Sequence, residues 1–202
     1  MTDHKVEILS RQTAYKGYFR IDSFRLRHSL FAGGMSPELT REVFERGHAV
    51  AGLLYDPDAD SVVLVEQFRI GAWSAGMPAW DLECIAGIIE DGETPEAVVR
   101  REAEEESGLV VGDVVPVARY LSSPGGSSET VEIFCARVDS CNAGGIHGLP
   151  EEGEDIRVVV LPYAELERMV LAGGIGNAMT LIAAQWLVLN RAELRRLWPK
   201  RP

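Results

Sequence analysis

Residues 87–109 of the chain read GIIEDGETPEAVVRREAEEESGL. The stretch predicts a glycine-ended loop followed by an acidic α-helix, because Thr94 can cap the helix and Pro95 suits its first turn. Gly108 suits the position just after the helix, where φ is commonly positive. Three apolar residues between these ends are expected to pack inward: Ala97, Val98 and Ala103.

Carboxylates gather on one side of this predicted helix. Glu102, Glu105 and Glu106 have the spacing i, i+3, i+4, which places them on one face, and Glu93 lies just before the helix. Such an acidic run is, taken alone, typical of a solvated helix face. Like charges at this spacing repel one another by a few tenths of a kcal/mol, and a bound cation removes that repulsion. Oxygen ligands clustered without Cys or His suit Mg²⁺ or Mn²⁺.

The acidic residues also follow a fixed pattern of spacings, G-x5-E-x7-R-E-U-x-E-E-x-G-U, in which U is apolar. The defined positions are filled by Gly87, Glu93, Arg101, Glu102, Ala103, Glu105, Glu106, Gly108 and Leu109. The stretch therefore resembles the Nudix box at every defined position. The resemblance implies an enzyme that hydrolyses a nucleoside diphosphate linked to another moiety, using a divalent metal ion.

Composition narrows the class of protein. The chain has 202 residues, which fits one domain of about 150 residues plus an extension. The formal net charge of −11 argues against nucleic acid as a partner, because a phosphate backbone requires a basic surface. Three cysteines, Cys84, Cys135 and Cys141, show no metal-ligand spacing, and their odd number argues against a disulfide framework. The polar N-terminus and the lack of a membrane-length apolar run predict a cytosolic protein without membrane contact.

The rest of the chain alternates strands with few helices. Strands are expected over residues 5–31, with a turn or bulge at Gly17, and residues 1–40 are too few for a core of their own. Further strands are expected in HAVAGLLYDP, SVVLVEQFR, WDLECIAG, VVPVARYLSS, TVEIFCARV and IRVVVLPY, and late helices in AELERMVLAGG and NAMTLIAAQWLVLNRAELRRLW. Mixed strands with one central and two late helices predict an α/β fold, a three-layer α/β/α sheet over residues 41–202.

Segments outside the box narrow the resemblance to one branch of the family. HAV…VEQFR, LE-x-IAG, YLSSPGGSSE, GIHGLPEEGEDIRV and GNAMTLIAAQWL together resemble the ADP-ribose pyrophosphatase branch, from about Tyr15 to Asn190. Pro124 matches the proline associated with that branch. The resemblance implies the Nudix α/β/α sandwich with a mixed sheet. It also implies a homodimer that exchanges the N-terminal antiparallel β arm, residues 1–40, so that each active site draws on both chains.

The resemblance implies a metal site and a catalytic base. The expected metal ligands are the carbonyl of Ala86 and the carboxylates of Glu102, Glu105, Glu106 and Glu154. Within the box, Glu105 and Arg101 are the expected catalytic side chains. The general base is expected from the acidic loop after the box, where Glu152 is the best match and Glu151 and Asp155 are alternatives.

Substrate contacts are implied elsewhere in the chain. Arg41 and Arg69 match arginines that contact phosphates, which suits the paired donors of a guanidinium; each could instead be a surface or ion-paired arginine. Tyr18, or its neighbour Phe19, matches an aromatic residue of the partner's arm that stacks on adenine, and either ring could instead pack under the sheet. Two positions match residues by which the partner's proline loop helps hold the substrate: Ser123 and Glu129.

The expected reaction is ADP-ribose + H₂O → AMP + ribose 5-phosphate, with bound Mg²⁺ or Mn²⁺. One alternative is another nucleotide sugar, such as GDP-mannose, cleaved on the same scaffold. A second alternative is a non-catalytic sensor that binds ADP-ribose. The GIHGL and GNAMTLIAAQWL segments favour ADP-ribose, and the complete set of box glutamates favours an enzyme.

Overall fold

A computed structural model of the protein describes residues 4–200, apart from the side chain of Glu152. The chain divides into two compact units. The first unit holds the residues up to His48 together with Tyr120–Thr130, and the second holds Ala49–Arg119 and the residues from Val131 onward. No helix in the described part of the chain is long and apolar enough to cross a membrane.

The first unit contains an antiparallel sheet in the order β1-β2-β3. Its strands are β1 (Val6–Lys16), β2 (Arg20–His28) and β3 (Leu39–Glu45). The turn predicted at Gly17 is confirmed, since the Gly17 N–H donates to the carbonyl of Phe19 at 2.9 Å. Strand β3 was not predicted, because its sequence LTREVFE mixes charges into the alternation. Every residue of β1 is exposed.

A buried carboxylate holds β1 against β2. Asp22 on β2 is 1% exposed and accepts hydrogen bonds from Arg11 Nε at 3.1 Å and from Thr13 Oγ1 at 3.0 Å, both on β1. Arg20 Nε donates to it as well, at 3.1 Å. The hydrogen bond from Arg11 holds the pKa of Asp22 below its usual value, against the effect of burial. The β1–β2 hairpin is therefore fastened within a single chain.

Residues Tyr120–Thr130, the second stretch of chain in the first unit, pack on β3. The Phe44 N–H donates to the carbonyl of Gly126 at 2.8 Å, and Ser128 Oγ donates to Glu45 Oε2 at 2.7 Å. The loop that carries the SPGG sequence is thus attached to the antiparallel sheet of its own unit.

Within residues 4–200 a larger sheet has eight strands in the order β10-β11-β5-β4-β9-β8, with β6 paired to β5 and β7 to β4. They are β4 (Ala49–Asp56), β5 (Ser61–Phe68), β6 (Trp80–Glu83), β7 (Ile85–Ile88), β8 (Val114–Leu121), β9 (Thr130–Arg137), β10 (Ile146–His147) and β11 (Ile156–Pro162). The sheet is mixed, because β4 runs parallel to β9 and antiparallel to β5.

The segment WDLECIAG forms two strands rather than the one predicted. It changes partner at Cys84: β6 pairs with β5, and β7 pairs with β4. The Cys84 N–H donates instead to Thr180 Oγ1 at 2.9 Å. The break is invisible in the sequence because the alternating WDLE and the apolar IAGI are both typical of strands.

Helices cover both faces of the larger sheet. They are α1 (Ile70–Ser74), α2 (Pro95–Ser107), α3 (Tyr163–Ala172) and α4 (Ala178–Leu197), of which only α1 was not predicted. On one face of β4, Val50 and Leu54 share a core cluster with Val98 and Val99 of α2. Neighbouring strand residues point to opposite faces. Tyr55 therefore points the other way, and its hydroxyl donates to Asp60 at 2.8 Å.

Helix α4 meets this second face. Arg191 Nε of α4 donates to Asp60 Oδ1 at 2.9 Å, and its guanidinium lies 4.0 Å from the ring centroid of Tyr163 on α3. With α2 on one face of the sheet and α3 and α4 on the other, the predicted α/β/α sandwich is confirmed.

Candidate active site

The ends of α2 are those that the sequence predicts. Thr94 has extended φ and ψ of −93° and 147°, and its side chain accepts a hydrogen bond from Ala97 N at 3.3 Å. Gly108 closes the helix with φ of 67°, in the left-handed region that favours glycine. Local chemistry alone therefore sets where the acidic helix begins and ends.

The buried stripe of α2 differs from the prediction at one residue. Val98, Val99 and Ala103 are fully buried, but Ala97 is exposed. The prediction that Ala97 packs inward is wrong. Ala97 lies on the same side of the helix as Arg101 and the exposed Glu104, which follow it by four and seven residues. Val99 takes its place in the core cluster that also contains Val50 of β4 and Ile85 of β7.

Two carboxylates lie on that buried stripe. Glu102 is 8% exposed and Glu106 is 2% exposed, one helical turn apart, and Glu105 is half-buried beside them. Burial raises the pKa of Glu102 to about 7 and that of Glu106 to about 8, and the charges of neighbouring carboxylates add to both shifts. The acidic helix therefore presents a crowded, partly desolvated carboxylate cluster rather than a solvated face.

Strand β7 forms the surface against which this cluster lies. The Ala86 N–H donates to Glu106 Oε2 at 3.1 Å. Gly87 belongs to β7 rather than to the predicted loop, and a Cβ at this position would lie 1.7 Å from Glu102 Oε1. The box requires glycine here so that the Glu102 carboxylate can lie directly on the strand.

Arg101 joins the carboxylates of the box. Its Nη1 donates to Glu102 Oε1 at 2.8 Å and to Glu105 Oε2 at 3.0 Å, and its Nε donates to Glu93 Oε1 at 3.1 Å. Burial acts to lower the pKa of Arg101, but these carboxylates raise it well above its ordinary value. The guanidinium therefore balances part of the negative charge of the cluster.

A divalent cation fits the chemistry of this cluster. Buried carboxylates with raised pKa values are hard oxygen donors that repel one another, and a dication relieves that repulsion. Among the described residues, no three acidic, His or Cys side chains already surround a common metal position. Glu102 and Glu105 each turn an oxygen toward Arg101.

The acidic loop after the box reaches the same cluster. The Gly148 N–H donates to the carbonyl of Glu105 at 3.2 Å, which ties the loop to α2. Glu154 accepts a hydrogen bond from Leu149 N at 3.0 Å, and its charge adds to the raised pKa values of Glu102 and Glu106. The loop forms a 3₁₀ turn over Pro150–Glu152. Two of its acids are exposed, Glu151 and Asp155, and the side chain of Glu152 lies outside the described residues.

Arg69 stands close to the cluster. The pKa of Glu106 is raised by burial and by Glu102, while the positive charge of Arg69 acts to lower it. Arg69 Nε donates to Glu83 Oε2 at 2.8 Å. Glu83, which the sequence did not single out, is 4% exposed and also accepts from Asn177 Nδ2 at 3.0 Å. The sequence singled out neither Glu83 nor Asn177. The available signal was that Glu83 lies in the segment LE-x-IAG and Asn177 in the segment GNAMTLIAAQWL, on both of which the family resemblance rests.

The first unit holds the predicted aromatic residues. Tyr18 is 89% exposed at the β1–β2 turn, and its ring meets that of Phe19 edge to face at 4.8 Å. Phe19 packs in turn against Phe44 at 5.0 Å between ring centroids. Tyr18 is therefore the more accessible ring of the two candidates.

The remaining predicted substrate contacts also lie in the first unit. Arg41 is exposed on β3, and its Nη1 donates to the carbonyl of Thr40 at 2.8 Å. Ser123 is exposed, and its carbonyl accepts from Ser127 N at 2.8 Å within the proline loop. Glu129 is 8% exposed and pairs with Arg46 Nε at 3.3 Å. No sequence signal singled out Arg46, whose guanidinium also lies 5.6 Å from the ring centroid of Phe19.

Comparisons with known proteins agree with this geometry. The sequence model of the NUDIX domain matches residues 45–179. The chain is 50% identical over 193 residues to an ADP-ribose pyrophosphatase of Escherichia coli (strain K12), covering 96% of this chain and 92% of the relative. It is 44% identical over 198 residues to an ADP-ribose pyrophosphatase of Haemophilus influenzae, covering 96% and 91%.

More distant relatives carry other names. The chain is 39% identical over 154 residues to a GDP-mannose pyrophosphatase of an Enterobacter species, covering 74% of this chain and 78% of the relative. A solved structure described as an ADP compounds hydrolase superposes with a TM-score of 0.71 at 19% identity, over 98% of this chain and 97% of the other. That likeness shows a common fold.

The contact between Gly87 and Glu102 yields a testable expectation. In Gly87→Ala the new methyl group displaces the Glu102 carboxylate, and we expect affinity for Mn²⁺, measured by isothermal titration calorimetry, to fall by about tenfold or more. Gly71→Ala is the matched control, because a Cβ at Gly71 meets no atom within 4 Å. Equal Mn²⁺ affinity in both variants would contradict the proposed role of this contact.

Proposed function

The chain belongs to the NUDIX family, whose domain spans most of its length, and we propose that it is an ADP-ribose pyrophosphatase. The observation that carries the proposal is the buried pair Glu102 and Glu106, with Arg69 close by and the loop of Glu154 adjoining. Carboxylates for a dication and a guanidinium for phosphate are what hydrolysis of a diphosphate requires. The products are AMP and ribose 5-phosphate.

Magnesium is the proposed ion, with manganese as the alternative. Its proposed ligands are the Ala86 carbonyl and the carboxylates of Glu102, Glu105, Glu106 and Glu154. When bound, the dication neutralises diphosphate charge and lowers the pKa of the attacking water. Glu102 and Glu106 would hold the ion as carboxylates, and its positive charge would lower the pKa values that burial raises.

The side chains of the protein perform the remaining tasks. Arg69 and Arg41 donate to phosphate oxygens, which suits the fork of a guanidinium. Arg101 holds Glu102 and Glu105 in alignment through its two hydrogen bonds from Nη1. Glu152 accepts the proton of the attacking water at its carboxylate. The hydrogen bond from Gly148 N–H to the Glu105 carbonyl ties the backbone of this loop to the last turns of α2.

The identity of the substrate rests on the comparisons and on two sequence segments, GIHGL and GNAMTLIAAQWL. ADP-ribose pyrophosphatases share half of their residues with this chain over nearly all of it, and the GDP-mannose pyrophosphatase is less similar over a shorter part. A sensor without activity is disfavoured, because every glutamate of the box is present.

We further propose that two chains form a homodimer and exchange their N-terminal arms. Support comes from β1, which is exposed along its whole length, and from the accessible ring of Tyr18. In such a dimer the adenine stacks on the partner's Tyr18, and the proline loop of the partner, through Ser123 and Glu129, helps hold the substrate.

Product analysis tests the reaction directly. Incubation of the protein with ADP-ribose and Mg²⁺ is expected to release AMP and ribose 5-phosphate in equal amounts, as separated by ion-exchange chromatography. GDP-mannose under the same conditions is expected to turn over with at least about tenfold lower kcat/KM, a difference of 1.4 kcal/mol in transition-state stabilisation. Preferential cleavage of GDP-mannose would establish the alternative substrate, and tight ADP-ribose binding without AMP would establish the sensor.

Substitutions in the box and the loop test the assigned roles. Glu102→Gln is expected to reduce kcat by about 100-fold or more, and exposed Glu104→Gln on the same helix is its control. Glu152→Gln is expected to reduce kcat by about 100-fold through loss of the base. Its controls are Glu151→Gln and Asp155→Asn, and a larger loss in either one would move the base to that residue. Full Mg²⁺-dependent turnover in both Glu102→Gln and Glu152→Gln would show the assignment to be wrong.

Mixing of variants tests arm exchange. The double variant Tyr18→Ala/Glu129→Gln removes the substrate contacts of the first unit, and Glu102→Gln removes a metal ligand of the box. Each homodimer alone is therefore expected to be nearly inactive. After the two are unfolded together and refolded, half of the dimers are mixed and one site in each is intact, which restores about a quarter of wild-type activity. Activity no higher than the sum of the separate variants would place both units of one site in the same chain.

A further inference from the structure

Two segments that are distant in the sequence meet at one buried carboxylate. Glu83, from LE-x-IAG, ends β6 and is 4% exposed. Arg69 Nε donates to its Oε2 at 2.8 Å, and Asn177 Nδ2, from GNAMTLIAAQWL, donates to its Oε1 at 3.0 Å. Each oxygen of Glu83 is therefore held by a donor from a different element.

Asn177 is itself fixed by the start of α4. Its Oδ1 caps the helix by accepting from Thr180 N at 3.0 Å and from Thr180 Oγ1 at 3.1 Å. Thr180 Oγ1 accepts in turn from Cys84 N at 2.9 Å, the N–H left over where the chain passes from β6 to β7. These hydrogen bonds allow the side-chain amide of Asn177 a single orientation, in which its NH₂ group faces Glu83.

The consequence for Arg69 is a fixed guanidinium plane. Its backbone N–H donates to the carbonyl of Ala79 at 2.8 Å, and its side chain is held at Nε. Among the side chains that the structure describes, which leave out that of Glu152, none accepts a hydrogen bond from its Nη1 or Nη2, and the Arg69 side chain is 41% exposed. A guanidinium held at Nε keeps the donors of both Nη groups for an oxygen ligand.

Stability alone is a weak explanation for this arrangement. Only Glu83 of this pair is buried; Arg69 is 41% exposed, so solvent screens the attraction while the burial of Glu83 carries a desolvation cost. Orientation of a flexible side chain is the benefit that an apolar replacement does not provide. Fixing a side chain before the ligand arrives removes the entropy cost of ordering it on binding.

We propose that Glu83, held by Asn177, is a positioning residue that aims the Nη groups of Arg69 at the substrate's phosphates. The proposal rests on the proposed function and deepens it, because it gives LE-x-IAG and GNAMTLIAAQWL a shared task. Glu83 does not touch the substrate in this assignment and acts through Arg69.

The direction in which KM changes in one variant distinguishes positioning from simple electrostatics. Glu83→Gln removes a negative charge near an anionic substrate, and by Coulomb attraction alone KM would fall. Under the proposal KM rises, because the single remaining oxygen cannot accept from both Arg69 and Asn177, and one donor then faces an NH₂ group.

A double-mutant cycle on kcat and KM for ADP-ribose tests the proposal in the full-length protein. We expect Glu83→Gln to raise KM about tenfold, the loss of one charged hydrogen bond, and Arg69→Ala to lower kcat/KM about 100-fold. In the Arg69→Ala background, Glu83→Gln is expected to change kcat/KM by less than about threefold, because the group through which it acts is gone. Mn²⁺ affinity is the control for Glu83→Gln, which removes no proposed metal ligand, and is expected to change by less than about threefold. Arg69→Ala does not serve this control, because it removes a positive charge that acts on Glu106.

Other outcomes overturn the proposal. A fall in KM for Glu83→Gln, equal effects of that change in both backgrounds, or full activity of Arg69→Ala would each do so. If Glu83→Gln does not fold, as judged by circular dichroism, Asn177→Ser takes its place in the cycle with the same expectations. It keeps a capping oxygen for α4 and removes only the donor to Glu83. Absence of AMP release by the wild-type protein would refute the proposed function itself, which separates the two failures.

Discussion

The site depends on two carboxylates that lie one helical turn apart on the buried side of α2. Burial disfavours the ionised forms of Glu102 and Glu106, which raises the pKa of both carboxyl groups. Most of the surrounding geometry serves to keep them there. Gly87 has no side chain to exclude Glu102, the Ala86 N–H holds Glu106, and Arg101 draws Glu102 toward the other acids of the box. A helix that was merely acidic would turn these groups outward.

A single irregularity of the sheet connects this cluster to a second helix. The chain changes strand partners at Cys84, and the N–H released there is taken by Thr180 of α4. The residue before the break is Glu83 and two residues after it is Ala86, so one short segment faces both Arg69 and Glu106. Thr180 thereby contacts the same short segment as Glu106, a residue of the signature near position 100.

The features that were predictable are those determined by neighbouring residues. Thr94, Pro95 and Gly108 set the ends of α2 by local hydrogen bonding and backbone conformation, and the alternation of apolar residues located most strands. The prediction for Ala97 failed because the side of α2 that packs inward depends on where the sheet lies. Strand β3 was hidden by its charges, and the five residues of α1 are too few for a periodic signal. Glu83 and Asn177 are 94 residues apart, and their hydrogen bond exists only in the folded chain.

The buried carboxylate of Asp22 bears on how two chains could come together. It fastens β1 to β2 from inside one chain, so the strand order of the arm needs no second molecule. An arm that passes to a second chain would pass as a finished hairpin, and the entropy of ordering that hairpin would not be added to the association of the two chains. Docking of the arm would then resemble the docking of a rigid body, with no folding of the hairpin to slow it.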